Sequence, residues 1–358
     1  MKYRYDIYKG LTKIKTKLAY TVTGLGLVLG GGGLSLAAFG TAHAATCTPT
    51  GFMRDSINLT AAQIGGNVNG TLNATGCNIG VYYDKTHTGN VHHANIYGAN
   101  YFGVLVDGGQ GKVDVNIQQS SIHNIGETPF NGTQHGNAIY YYSDSSSGKV
   151  TGKVTQNHVY QYQKGGIIIN GQKTDVSVSQ NTVNGLGPVD FIAQNGIQIS
   201  RGASGTVSQN TVTDNSYTGD TPYVSAGILI YGGCGDPLVK DIKVSQNTLR
   251  GNDVGIYAAN YNNACTAGPN QATDINIVRN IISNDAVNNT DGNGSGTAYQ
   301  AGISDAGNSD KITYNTIKGD GYAPENDATA VVYPIDVSAP YSINPTLSHN
   351  TYDGHTYP

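Results

Sequence analysis

The sequence predicts an all-β solenoid, a stack of short-stranded coils around one narrow core. Three observations lead there. A polar phrase centred on asparagine recurs, as "VSVSQNTV" around Asn181, "VSQNTV" around Asn210 and "VSQNTL" around Asn247. Between its copies falls a second phrase, a small residue followed by an aliphatic strand: "GGIII", "NGIQI", "AGILI". Composition supplies the third: 49 Gly, no Trp, charged residues at 12%, and no long run of Ala, Leu, Glu and Lys after residue 45.

The chain opens with a segment of different character. Lys2, Arg4, Lys9, Lys13, Lys15 and Lys17 form a basic head with a single acid, Asp6, followed by the charge-free "LAYTVTGLGLVLGGGGLSLAAFG" and then "TAHA". A basic head, an apolar stretch and a small-x-small ending are the parts of a secretory signal, so residues 1–44 are expected to direct export and be removed at Ala44. Retention as a membrane anchor is the competing reading, since the apolar run nearly suffices to span a bilayer. Cleavage takes away six basic residues and one acid, leaving 14 against 23 and a formal charge of −9. That balance, with no basic stripe legible in the sequence, disfavours nucleic acid as a partner.

Residues 45–76, "ATCTPTGFMRDSINLTAAQIGGNVNGTLNATG", precede the regular repeats and are expected to cap the first coil, whose edge would otherwise pair with other chains. The repeats then fill residues 77–358. Four cysteines, Cys47, Cys77, Cys234 and Cys265, allow three pairings in an exported chain. The most economical is Cys47–Cys77 with Cys234–Cys265; each closes about 30 residues and contributes roughly 3–4 kcal/mol in the entropic account. Four reduced, buried thiols are the alternative. No C-x-x-C or paired-histidine spacing accompanies them, so no metal site is expected there.

Aligned on asparagine, the polar phrase places Asn157, Asn181, Asn210, Asn247, Asn280, Asn315 and Asn350 in one register, 24 to 37 residues apart. Ser120 takes the same place in "QQSSI", and His93 takes it in "HHANI". The aliphatic phrase recurs at Gly80, Gly103, Ala138, Gly166, Gly196, Gly227, Gly255, Gly302 and Ala330. A period of this length with two or three short strands per unit marks a solenoid of about nine coils. Pairing each strand with its equivalent one coil on, about 4.8 Å away, creates a corner where backbone groups turn inward. An asparagine amide both donates and accepts, so it can satisfy its own turn and its counterpart in the next coil. The repeated asparagine is therefore expected to form a ladder. The tail "SINPTLSHNTYDGHTYP" completes a last coil, its prolines discouraging further pairing.

On these residues, from Asn78 to Tyr352, the chain resembles the right-handed parallel β-helix proteins of the pectate-lyase-like superfamily, with their asparagine ladders. The resemblance implies a right-handed parallel β-helix. It also implies a superfamily that includes lyases, hydrolases, epimerases, phage tailspikes and adhesins, so fold alone does not carry an activity.

By that resemblance the aliphatic strands line a substrate groove. Alternation turns Val104, Ile139, Ile167, Ile197, Ile228, Ile256 and Ile303 inward, and Leu105, Tyr140, Ile168, Gln198, Leu229, Tyr257 and Ser304 outward. A second outward column holds Asp107, Tyr142, Asn170, Ser200, Tyr231 and Ala259. Calcium-dependent uronate lyases need several carboxylates and a basic residue. The floor offers Asp107 and, several coils away, Arg201, and neither polygalacturonase acid pairs nor a "DPHD" motif is present. No cofactor is expected, with calcium left open. Tyr140, Tyr142 and Tyr231 suit stacking on sugar faces, or packing beneath loops.

Loop lengths sharpen the reading. A long loop (122–137), a short one (160–165) and two long ones (184–195 and 213–226) would leave a notch about 10 Å wide over the short coil. Glu127 and His135 stand on one wall, Tyr162 and Lys164 on the floor, and Asp190 on the other wall. Glu127 and Asp190 are the candidate catalytic carboxylates of an inverting glycosidase, which needs them about 6.5–9.5 Å apart. His135 is a candidate third member. Tyr162, Lys164 and Arg201 join the tyrosines as candidate substrate contacts. A row of threonines behind the ladder, Thr182, Thr211, Thr248, Thr316 and Thr351, suits a strand edge and could also match an ordered lattice.

Two function classes follow. One is a secreted, monomeric protein that binds, and in the sharper form cleaves, an extracellular polysaccharide or cell-surface glycan. The other is a non-catalytic surface or adhesion protein using its long flank.

Overall fold

A computed structural model describes residues 46–144 and 146–357, which form an all-β, solenoid-like stack of mostly parallel strands. The expected export segment 1–44 lies outside the described residues. Among those described, no helix is long and apolar enough to cross a membrane.

Among the described residues the first sheet has 12 strands, parallel except at its two ends. Its register follows the aliphatic phrase. Val104 pairs with Ile139, Ile139 with Ile167, and so on through Ile197, Ile228, Ile256 and Ile303, all fully buried. The inward column expected from alternation is present. The small residue opening the phrase has a packing reason: a β-carbon on Gly166 would come within 2.5 Å of the Gly196 carbonyl and 2.6 Å of Val183. Only glycine lets the strand pass that close to the neighbouring coil and the opposite sheet.

The second sheet runs through the asparagine corner, with one strand before it and one after, as in Thr174–Ser179 and Thr182–Val189. The residue before each ladder position is left-handed: Gln119, Gln156, Gln180, Gln209, Gln246, Arg279, Tyr314 and His349 have φ between 47° and 58°. Such a conformation costs a non-glycine residue about 1–2 kcal/mol. The asparagine offsets it. In six consecutive steps from Asn157 to Asn350, one amide oxygen accepts both the backbone N–H and the Nδ2 of the preceding ladder residue, at 2.9–3.0 Å. Nδ2 also donates to a carbonyl of the preceding coil, as Asn181 does to Val154 at 2.9 Å. Ser120 continues the ladder by accepting from the Ala94 N–H at 3.0 Å. The ladder position in the first full coil is thus Ala94; His93 is the left-handed bend residue (φ 53°), one place earlier than expected.

A second, shorter ladder stands four or five residues beyond the first. Asn215 donates from its backbone N–H and Nδ2 to Asn252 Oδ1 at 3.1 and 2.9 Å, and Asn284 Nδ2 reaches the Asn252 carbonyl.

The segment expected to be the cap is partly coil already. Ile57–Ile64 pairs in parallel with Ile79–Tyr83, and Val68–Asn73 with Val91–Tyr97, so the winding begins near residue 57 instead of 77. Among the described residues only Thr48–Arg54 covers the edge, antiparallel to Ile57–Ile64 through the two-residue turn Asp55–Ser56, both left-handed. At the far end Glu325–Asn326 and His355–Tyr357 close the two sheets in the same antiparallel way. Cys47 is bonded to Cys77 and Cys234 to Cys265, a pairing that fits an oxidising compartment.

Candidate functional site

The turn Asp55–Ser56, the loop 127–136 and the start of the Phe102–Asp107 strand converge at the N-terminal half of the first sheet. There His135, 7% exposed, places Nε2 2.6 Å from Glu127 Oε1, with Nδ1 3.8 Å from Asp55 Oδ2 on its other side. Tyr101 stacks on the imidazole, ring centres 3.9 Å apart and planes 19° apart. Burial, and then the charge of Asp55, push the Tyr101 hydroxyl up to about 12, so it stays a proton donor across the neutral range. Asn100 Nδ2 donates to the same Glu127 oxygen at 3.2 Å while Asn100 Oδ1 accepts from Asn78 Nδ2 at 3.1 Å, a short amide file that ends on the carboxylate. Glu127 keeps a third of its side chain exposed. The outcome is a carboxylate fixed by an imidazole and an amide, facing water.

One residue holds this loop in shape. Gln163, fully buried, accepts the backbone N–H groups of Glu127 and Asn131 at 3.0 and 3.2 Å and donates to the Thr133 carbonyl and hydroxyl at 2.8 and 2.7 Å. Sequence reading passed over it, between Tyr162 and Lys164, because a lone glutamine carries no motif. Its signal is positional: Gln194 and Gln300 likewise stand two or three residues before the small residue of an aliphatic phrase and anchor the loop before it.

The same anchoring closes the expected notch. Gly132 lies so near the Phe191 carbonyl that a β-carbon on it would come within 3.0 Å, so the two long loops touch above the short coil. The floor is therefore not open. Tyr162 is fully buried with its hydroxyl on Asn215 Oδ1 at 2.6 Å, an interior residue and not a groove contact. It stands where later coils put the second asparagine ladder. Lys164 turns its Nζ to the Ala193 carbonyl at 2.7 Å, and burial pulls its ammonium down to about 8. Asp190 is exposed on the neighbouring loop.

The remaining candidates divide between two places. Tyr140 and Tyr142 lie beside the Glu127 cluster, their ring centres 6.4 Å apart. The cap strand lays Phe52 edge-on to Tyr142 at 5.9 Å and Arg54 over Tyr140 at 5.8 Å. Arg201 and Tyr231 lie together at the far edge, the Arg201 N–H donating to the Tyr231 carbonyl at 2.9 Å. There Arg201 Nε pairs with Asp236 at 3.2 Å, and Tyr231 packs among Leu229, Tyr257 and Tyr261. The outward columns are more covered than alternation suggests. Leu105, Asp107, Asn170, Ser200, Ala259 and Ser304 are all buried. Asp107 accepts the Tyr82 hydroxyl at 2.9 Å, and burial raises its carboxyl above the usual range.

Among the described residues, no group of three or more His, Cys, Asp or Glu side chains is placed to hold a metal ion. A tighter carboxylate arrangement lies elsewhere. Asp305 and Asp310 face one another, buried, with Thr273 Oγ1 and the Ile275 N–H on Asp310 Oδ1 at 2.6 and 2.8 Å and Ser342 Oγ on Asp305. Burial and the Asp305 charge push Asp310 up to about 9. Both carboxyls are buried, so this pair is closed to a substrate.

No family model matches the chain, and no curated protein matches it. Among solved structures it is similar to DFA-IIIase from Arthrobacter chlorophenolicus A6, determined in complex with GF2, at 13% identity over 77% of this chain with a TM-score of 0.34. The chain spans just under two thirds, 66%, of that protein's length.

Proposed function

We propose that this is an exported protein, wound right-handed as parallel crossovers are, that binds an extracellular polysaccharide through the Glu127 cluster. The observation that carries the reading is the Glu127 carboxylate, one-third exposed and pinned by His135 and Asn100 beside the half-buried rings of Tyr140 and Tyr142. A fixed acceptor next to aromatic surface is what sugar hydroxyls and C–H faces require. In this reading Glu127 contacts the glycan, His135 and Asn100 position it, and Arg54 with Tyr140 forms the adjoining shelf. Asp55 is not the second carboxylate of a hydrolase, because the imidazole fills the space between it and Glu127. Asp190 keeps that role if the bound glycan is cleaved.

The contact between the two long loops favours a second reading, binding without turnover by a surface or adhesion protein. One experiment addresses both. The protein is screened against a glycan panel for binding, for reducing ends and for absorbance of unsaturated products, with and without calcium. Saturable binding lost in Glu127→Gln supports the proposed site. Product release lost in both Glu127→Gln and Asp190→Asn adds hydrolysis. Binding that survives Glu127→Gln removes the site from the proposal.

A further inference from the structure

Net charge and the spread of Lys and Arg along the sequence hide a basic surface that the winding assembles. Register places Lys243 two coils from Lys311 in one column before the asparagine corner, and Arg250 two coils from Lys318 in one column after it. Arg279 stands between them on the intermediate coil, at the left-handed bend itself. Each pair is separated by about 10 Å. All five are exposed, and none is ion-paired with a carboxylate among the described residues. The apex of the corner is aromatic. Arg279 lies 5.3 Å from the Tyr314 ring, which is 48% exposed and stacks on His349 at 4.5 Å and 9°.

We propose that this ridge binds a linear acidic polysaccharide running along the coil axis. Its chemistry is that of a thin polyanion. Cations flank a narrow convex edge on both sides at twice the repeat of the coils, close to the rise of about two pyranose rings in an extended chain, and Tyr314 offers a ring at the apex. A nucleic-acid duplex fits less well, since its affinity rests on neutralising many phosphates and acids border these few cations. Asp241 and Asp274 border the patch on one edge, and Asp353 follows Lys318 in its column. These acids confine the attraction to a chain narrow enough to straddle the corner. The ridge lies on the second sheet, so this proposal stands apart from the Glu127 site on the first.

The test is binding of the full exported chain to polygalacturonate and dextran sulfate, with neutral dextran and a duplex DNA as comparators. The acidic glycans are expected to bind, more weakly as salt rises, and the triple variant K243Q/R279Q/K311Q to lose about tenfold or more in affinity. The pair K149Q/K173Q, on another part of the surface, is expected to bind as the parent does. All five positions are exposed, and thermal unfolding checks that each variant is folded. Undiminished binding by the triple variant, no binding to either acidic glycan, or equal affinity for neutral dextran or DNA overturns the proposal. Loss in Glu127→Gln alone reports the first-sheet site and counts against the ridge.

Discussion

The asparagine corner and the loop-bearing corners close the same coil by different means. At the first, one residue type repeats seven times and every amide has the same partners one coil away. At the second, each coil improvises. Gln163 and Gln194 hold their loops with amides, while Asp253 holds 213–226 by accepting Ser216 Oγ and the N–H groups of Tyr217 and Ser225 at 2.6–2.9 Å. A constant corner needs no loop and stays neutral. A variable corner carries loops, and some of its anchors are ionisable. The repeated corner thus carries one fixed file of amides, and the variable corner carries the loops with their individual anchors.

This contrast can be broken first with pH, which acts on the variable corners alone. Burial raises Asp253 to about 7 and Asp310 to about 9, both far above the unfolded value near 3.8. A carboxyl raised in the folded state binds more protons folded than unfolded, so its contribution is complete below about pH 4 and is lost as pH climbs through the folded values. Thermal unfolding should therefore occur at progressively lower temperature as pH rises from about 4 to about 9, with the part above pH 7 due to Asp310. Asp310→Asn, which cannot ionise, should flatten the upper part of that profile. A parent protein equally stable across the range would contradict the buried-acid account.

The ladder itself should respond to substitution, not to pH. In Asn210→Ala, the Asn181 backbone N–H and Nδ2 lose their acceptor, one buried N–H is left unpaired, and about 3 kcal/mol should go in denaturant unfolding. Gln163→Leu should cost about 2 kcal/mol and act locally. Hydrogen exchange at the Glu127 and Asn131 amides should quicken while the ladder amides stay protected. The smallest effect belongs to the outward threonines. Thr211→Val should change stability by no more than about 0.5 kcal/mol, because the hydroxyl lies outside the core. A larger loss there would mean the threonine file has a structural role.

Part of the site was legible and part was not. Glu127 and His135 were placed on one wall by loop length, and they do meet. Tyr162 was misplaced because alternation cannot tell an outward tyrosine from one whose hydroxyl finds a buried amide across the coil. The notch was misjudged for a related reason: loop length gives the chain available, not the direction in which a buried Gln163 draws it. Asp55 could not be joined to His135, 80 residues on, before the cap turn was known. The basic ridge escaped notice because its five members are spread from Lys243 to Lys318, and only coil register makes them neighbours.

By itself the sequence determined the strands, the corner and the core, because each follows from a repeated local pattern whose partner is the same pattern one coil away. Tertiary structure alone decided which loops meet, which tyrosines are roofed and where charge gathers. Those depend on contacts between unlike segments, for which no repeat supplies the register.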